Sequence, residues 1–142
     1  MGRMIGGVLA GAVTAFVLIW LMQLVSHYVW APPAIDPTDR EAMREFISRM
    51  PLLGKLSIPL IYALATAVGG YVGARIGWDW RVGLGSTALV LLATIANLFM
   101  LPHPLWLAVL MLLAVALPGW AGARLGAGLA LDPRVTAAPS DL

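Results

Sequence analysis

The chain has 142 residues, of which 61% are hydrophobic and only 11% charged, with a net charge of +2. A soluble domain carries about a quarter charged residues, so a chain of mean hydropathy +0.88 cannot hide its apolar surface in a core of its own size, and the bilayer has to act as its solvent. The basic residues are spread singly, which gives nucleic acid no run to grip, and there are no cysteines, which excludes disulfides and thiol chemistry.

Arg3 precedes an apolar run from Ile5 to Val25. That run is longer than the roughly 7–15 residues of a signal-peptide core, and no small-x-small cleavage site follows it. Gly6 stands where a myristoylated chain needs Ser or Thr. The start therefore reads as an uncleaved first span over about 5–25. Gly7-x-x-x-Gly11 is a close-packing pattern within it. Trp20 and Gln23 follow, then Ser26, His27, Tyr28 and Trp30 as an interfacial belt, and Pro32-Pro33 ends the helix.

Residues 34–56 are the one polar stretch. Thr38-x-x-Glu41 forms a capping box just after Pro37. Met43, Phe46, Ile47 and Met50 fall at i, i+3, i+4 and i+7, which predicts a helix over about 39–50 with an apolar stripe. Glu45 precedes Arg49 in the favourable order for an ion pair, and Pro51 stops the helix. About three turns is too short to cross a bilayer, so the stripe is expected to lie down on the membrane surface.

A second span is expected over about 57–76, with Pro59 in its first turn. The short link Gly77–Arg81 makes the third span, about 82–101, its antiparallel neighbour. Ser86, Thr87, Thr94 and Asn97 are the polar points of that span. Pro102-His103-Pro104 turns tightly into a fourth span, about 105–125, with a kink expected at Pro118. The tail, 127–142, is rich in Gly, Ala and Pro and reads as flexible. The whole of 1–142 forms one membrane domain.

Gly69-Gly70-Tyr71-Val72-Gly73-Ala74-Arg75-Ile76-Gly77 returns as Pro118-Gly119-Trp120-Ala121-Gly122-Ala123-Arg124-Leu125-Gly126, 49 residues later. Residues four apart share a helix face. Gly69, Gly73 and Gly77, and likewise Gly122 and Gly126, make grooves for another backbone. Tyr71 with Arg75, and Trp120 with Arg124, turn to the opposite face, toward lipid headgroups. His27-x-x-Trp30 and His103-x-x-Trp106 match at an offset of 76, and the two offsets differ by 27 residues, about the size of the polar insertion. The chain thus reads as two tandem helical hairpins in the same orientation, with the surface helix inserted into the first.

The end of the spans holding the N-terminus carries Arg3, Arg75, Arg81, Arg124 and Arg134, and the other end Arg40, Arg44, Arg49 and Lys55 beside four acids. Counting Lys and Arg places both termini in the cytoplasm. No charged residue falls in the middle of a span, which argues against an ion-coupled pump made by this chain alone. His27 and His103 are expected at one membrane face. Two histidines fall short of the three or four ligands that a metal needs, so no metal or other cofactor is expected. Gln23 and Asn97 either line a polar path with the two histidines or bond across helices.

Three stretches carry a likeness: Gln23-x-x-x-His27-Tyr28 with Pro32-Pro33, Asp36-Pro37-x-Asp39 with Pro51, and Asn97-Leu98-x-Met100-x-Pro102-His103-Pro104-Leu105-Trp106. Over about residues 5–126 the chain resembles a group of small, uncharacterised bacterial four-span membrane proteins. Members often carry an acid where Gln23 stands here. The resemblance implies an inner-membrane protein of four spans and brings no activity with it.

The sequence therefore predicts an all-α, polytopic inner-membrane protein. Its expected role is non-enzymatic, as a structural or accessory module. Glycine faces at Gly7, Gly11, Gly69, Gly73, Gly77, Gly122 and Gly126 would pack against other spans of the chain, a second copy or a membrane partner. The alternative is an oligomeric transporter of a small solute or lipid, with Gln23, His27, Asn97 and His103 along the path.

Overall fold

The computed structural model describes residues 1–29, 36, 39–101 and 103–130. These form five helices: α1 (Gly2–Val29), α2 (Arg40–Arg49), α3 (Leu52–Gly77), α4 (Trp80–Met100) and α5 (Leu105–Ala130). All but α2 are long and apolar enough to cross a membrane. Outward-facing Leu9, Phe16, Leu64, Leu92 and Leu113 leave the bundle an apolar belt, which is what acyl chains require.

α3 is the hub, packing against α1, α4 and α5; α4 also meets α1 and α5, while α1 and α5 share no packed interface. The adjacency therefore differs from that of two hairpins related by a two-fold axis, in which spans one and four would meet as spans two and three do.

Bare backbone sets the helix spacing. A methyl carbon placed on Gly69 would lie 2.6 Å from the Gly11 carbonyl oxygen, and one on Gly7 would lie 2.9 Å from that of Gly73. α1 and α3 thus touch backbone to backbone. α3 and α5 do the same where Gly122 faces the Ala67 carbonyl, Gly70 faces that of Gly119, and Gly126 faces that of Tyr71. Gly77 is covered by the Val82 side chain of α4. Of the partners left open for the glycine faces, other spans of the same chain occupy them. Gly70, Gly83 and Gly119 belong to the same seams. Without a hydrophobic drive between helices in lipid, such close van der Waals approach is what holds a bundle.

The buried hydroxyls are satisfied locally. Thr66, Thr87 and Thr94 donate to the carbonyls of Tyr62, Gly83 and Val90, four residues earlier. Ser86 of α4 reaches across to the Val8 carbonyl of α1 at 3.0 Å. Three of the four polar points of the third span are thereby accounted for as packing, which leaves Asn97.

Several boundaries differ from expectation. α2 begins one residue later than a Thr38 cap requires: Asp39 is the cap, accepting from the Glu41 and Ala42 amides at 3.0 Å. Pro32, Pro33, Pro37, Thr38, Trp30 and Arg134 lie outside the described residues. α3 begins at Leu52, so Pro59 sits inside the helix and forgoes the bond to the Lys55 carbonyl. α5 runs unbroken through Pro118 to Ala130, so residues 127–130 of the expected flexible tail are helical. Gly126 and Ala127 are still buried there, which keeps the chain coiled.

At the N-terminal end, α3 stops at Trp78, whose φ of 59° is left-handed. A non-glycine residue pays roughly 1 kcal/mol there. Arg3 offsets this, stacking 3.9 Å from the Trp78 ring centre while donating to the Ile76 carbonyl at 2.8 Å. Arg124 stacks on Trp80 at 4.3 Å and lies 5.6 Å from Trp120. Tyr71 and Arg75 make no such contact among the described residues. Trp80, which neither repeat contains, is the ring that Arg124 finds first.

Candidate functional site

The opposite end of the bundle holds a half-open cavity of about 280 Å³. Its size is near the lower end of the roughly 300–1,000 Å³ typical of ligand sites. α1 contributes Gln23, Ser26 and His27; α4 contributes Asn97; the turn before α5 contributes His103. The polar residues singled out from the sequence therefore meet around one space, although they come from three segments up to 80 residues apart.

The roof is α2. Met43, Phe46 and Met50 line the cavity and are half-buried, and Ile47 is buried. The stripe expected to face the membrane is turned instead onto the ends of the spans. Capping by Asp39 begins the helix, at a typical gain of about 1 kcal/mol. Arg40 reaches the Phe99 carbonyl at the C-terminus of α4, and Lys55 reaches the Ser48 carbonyl, so both ends of α2 are tied to the bundle. The Arg49–Glu45 pair is exposed and adds little.

The floor is Ile58, Ile61 and Tyr62 of α3. The Tyr62 hydroxyl lies within hydrogen-bonding reach of the Gln23 side chain. Below it, Ala15, Ile19, Ala65, Val90, Met111 and Val115 close into an apolar cluster. The cavity is thus a pouch at one end of the bundle, and the hydroxyls of Thr66 and Thr94 buried at the level of this cluster are turned back onto the carbonyls of their own helices.

His103 is held by its own turn. Its Nδ1 lies 3.0 Å from the Leu101 carbonyl, which can only accept, so Nδ1 carries the proton and Nε2 is left for a ligand. His27 is exposed at the rim. Among the described residues no three His, Asp or Glu side chains come close enough to hold a metal ion.

Ser26, Tyr62 and the α2 residues were not singled out as site residues. Tyr62 carries a visible signal: it is a hydroxylated aromatic inside a span, and a buried Tyr needs a partner for its O–H. The α2 stripe was legible, but the surface it covers depends on where the spans end. The packing residues Gly7, Gly11, Gly69, Gly73, Gly77, Gly122 and Gly126 lie remote from the cavity, as do Tyr71, Arg75, Trp120 and Arg124. No family model, curated protein or solved structure matches the chain.

Proposed function

We propose that the protein is a non-enzymatic, multi-pass membrane protein of the bacterial inner membrane that holds a small amphipathic molecule beneath α2. One observation carries this reading: Gln23, His27, Asn97 and His103 converge on a single cavity otherwise walled by Met43, Phe46, Met50, Ile58, Ile61 and Leu101. A few polar groups in an apolar wall select a ligand with one hydrogen-bonding end and one apolar end. The apolar cluster packed under Tyr62 favours holding over conduction across the bilayer.

By sequence, Arg3, Arg75, Arg81, Arg124 and Arg134 outnumber Arg40, Arg44, Arg49 and Lys55 by one, which favours cytoplasmic termini and puts the cavity on the outer face. The four-span bacterial group that the chain resembles supports the same membrane. Since the glycine seams are filled within the chain, assembly with a second copy or a partner would use other surfaces.

The test is titration of the delipidated protein with an uncharged monoacylglycerol. We expect saturable binding, weakened about tenfold by Asn97→Leu, because an unmatched polar end loses about 1–1.5 kcal/mol. Absence of saturable binding to the wild-type protein would overturn the reading.

A further inference from the structure

Beside the cavity lies a second recess, of about 380 Å³, lined by Arg40, Arg44, Ile47 and Ser48 of α2 and by Leu98, Leu101, His103 and Pro104 across from it. The two spaces share Leu101 and His103 as a common wall. They also share α2 as a roof. At about 100° per residue, Arg40, Arg44 and Ile47 form one stripe of that helix, and Met43, Phe46 and Met50 form the stripe next to it. One short helix therefore covers an apolar pouch with one face and brings two guanidiniums to the neighbouring recess with the adjoining face.

The charges are divided with equal clarity. The pouch is lined by no Asp, Glu, Lys or Arg, and the recess has two arginines. The acids Asp39, Glu41 and Glu45 line neither space, although Glu41 stands with Arg40 and Arg44 around a further shallow recess. Asp39 is engaged as the cap of α2, and Glu45 is paired with Arg49. The bond from Arg40 to Phe99 is long, at 3.4 Å, and uses one of the five donors of a guanidinium. The planar fork of Arg fits an oxyanion better than any neutral group.

We infer that pouch and recess are two halves of one site for an anionic amphiphile. Its oxyanion head sits on Arg40 and Arg44. Its hydrocarbon tail passes Leu101 and His103 and lies under Met43, Phe46 and Met50. The ligand class is a membrane lipid or lysolipid with a phosphate-type head, taken up at the level where such heads already stand. This rests on the holding role proposed above and adds the charge and placement of the head.

The experiment compares three compounds on the full-length protein in mild neutral detergent. They are a lysophospholipid with a glycerol-phosphate head, an uncharged monoacylglycerol of the same chain, and inorganic phosphate. Each is measured against wild type and the variant Arg44→Gln, which leaves in place the Arg40 bond that ties α2 to the end of α4. The wild type is expected to prefer the anionic lysolipid by about tenfold at low salt, and by less as salt rises. The Arg44→Gln variant is expected to lose most of that preference while keeping its affinity for the monoacylglycerol. That retained affinity also reports that the variant is folded. Equal affinity of the wild type for the two lipids would overturn the placement of the head and leave the pouch standing. Binding of neither lipid would overturn both. Inorganic phosphate binding as tightly as the lysolipid would show an anion site unconnected to the pouch, and would overturn the joined site.

Discussion

Gly122→Leu is expected to abolish the folded bundle. A methyl carbon at this position already collides with the Ala67 carbonyl of α3, and the atom it meets is backbone, which cannot rotate away. Gly122→Ala is therefore expected to cost about 3 kcal/mol, at the upper end of the usual overpacking range, and leucine more than the fold can absorb. Gly6→Ala serves as control, because nothing lies within 4 Å of a methyl carbon built there. The measurement is thermal unfolding followed by circular dichroism in detergent, with gel filtration alongside. Because the α3–α5 seam is internal, Gly122→Leu should unfold the monomer rather than merely separate copies. A well-folded Gly122→Leu protein that had only changed oligomeric size would show that this glycine face belongs to an intermolecular contact.

The second large effect is expected at Ser26. This side chain is half-buried and lines the pouch from α1, one turn beyond Gln23. Ser26→Trp places an indole in the space that the apolar end of a ligand would occupy. Affinity for monoacylglycerol should fall about a hundredfold, equivalent to ~2.7 kcal/mol. The melting temperature should stay near that of wild type, because the packed seams of α1, at Gly7 and Gly11, lie several turns away. Binding that survived this substitution would place the ligand elsewhere.

How much of this was legible depended on whether a feature is local or relational. Four spans and a short amphipathic helix follow from apolar run length and from the i, i+3, i+4, i+7 pattern over 43–50, both properties of neighbouring residues. The structure bears out this all-α, four-span organisation. Gly73 and Gly122 announced a close approach, but spacing alone does not say whether the approaching backbone belongs to the same chain. That answer lies in the crossing of α3 with α1 and α5, set by pairs 50–60 residues apart such as Ala67 and Gly122. Helix ends were the weakest part. Pro59 invited a start just before it, whereas Leu52–Leu56 coil ahead of it over the rim of the pouch. Asp39 caps α2 through a carboxylate that accepts from two amides at once.

The site was half legible. Gln23, His27, Asn97 and His103 stood out as polar residues in apolar surroundings, and the turn at His103 put its ring at the same end as His27. The roof could not be read, because an apolar stripe on a short helix fits lipid and protein equally well. Only the position of α2 over the ends of α1, α3 and α4 shows that Phe46 faces a pouch rather than acyl chains. The Trp80 stack on Arg124 escaped notice for a related reason: the ring and the cation sit on different helices, 44 residues apart.

The convergence of α1, α2 and α4 on one ligand space can be measured directly. The chain contains no cysteine, so single cysteines can be placed at Gln23, Met43 and Asn97 without background, with Leu92 on the lipid-facing side of α4 as control. Each protein is treated in membranes with a water-soluble thiol reagent, with and without monoacylglycerol. All three pouch positions should react, and all three should be protected over the same concentration range of amphiphile, while Leu92→Cys stays unreactive throughout. Protection at one position without the others, or reaction indifferent to the amphiphile at all three, would contradict a shared pouch beneath α2.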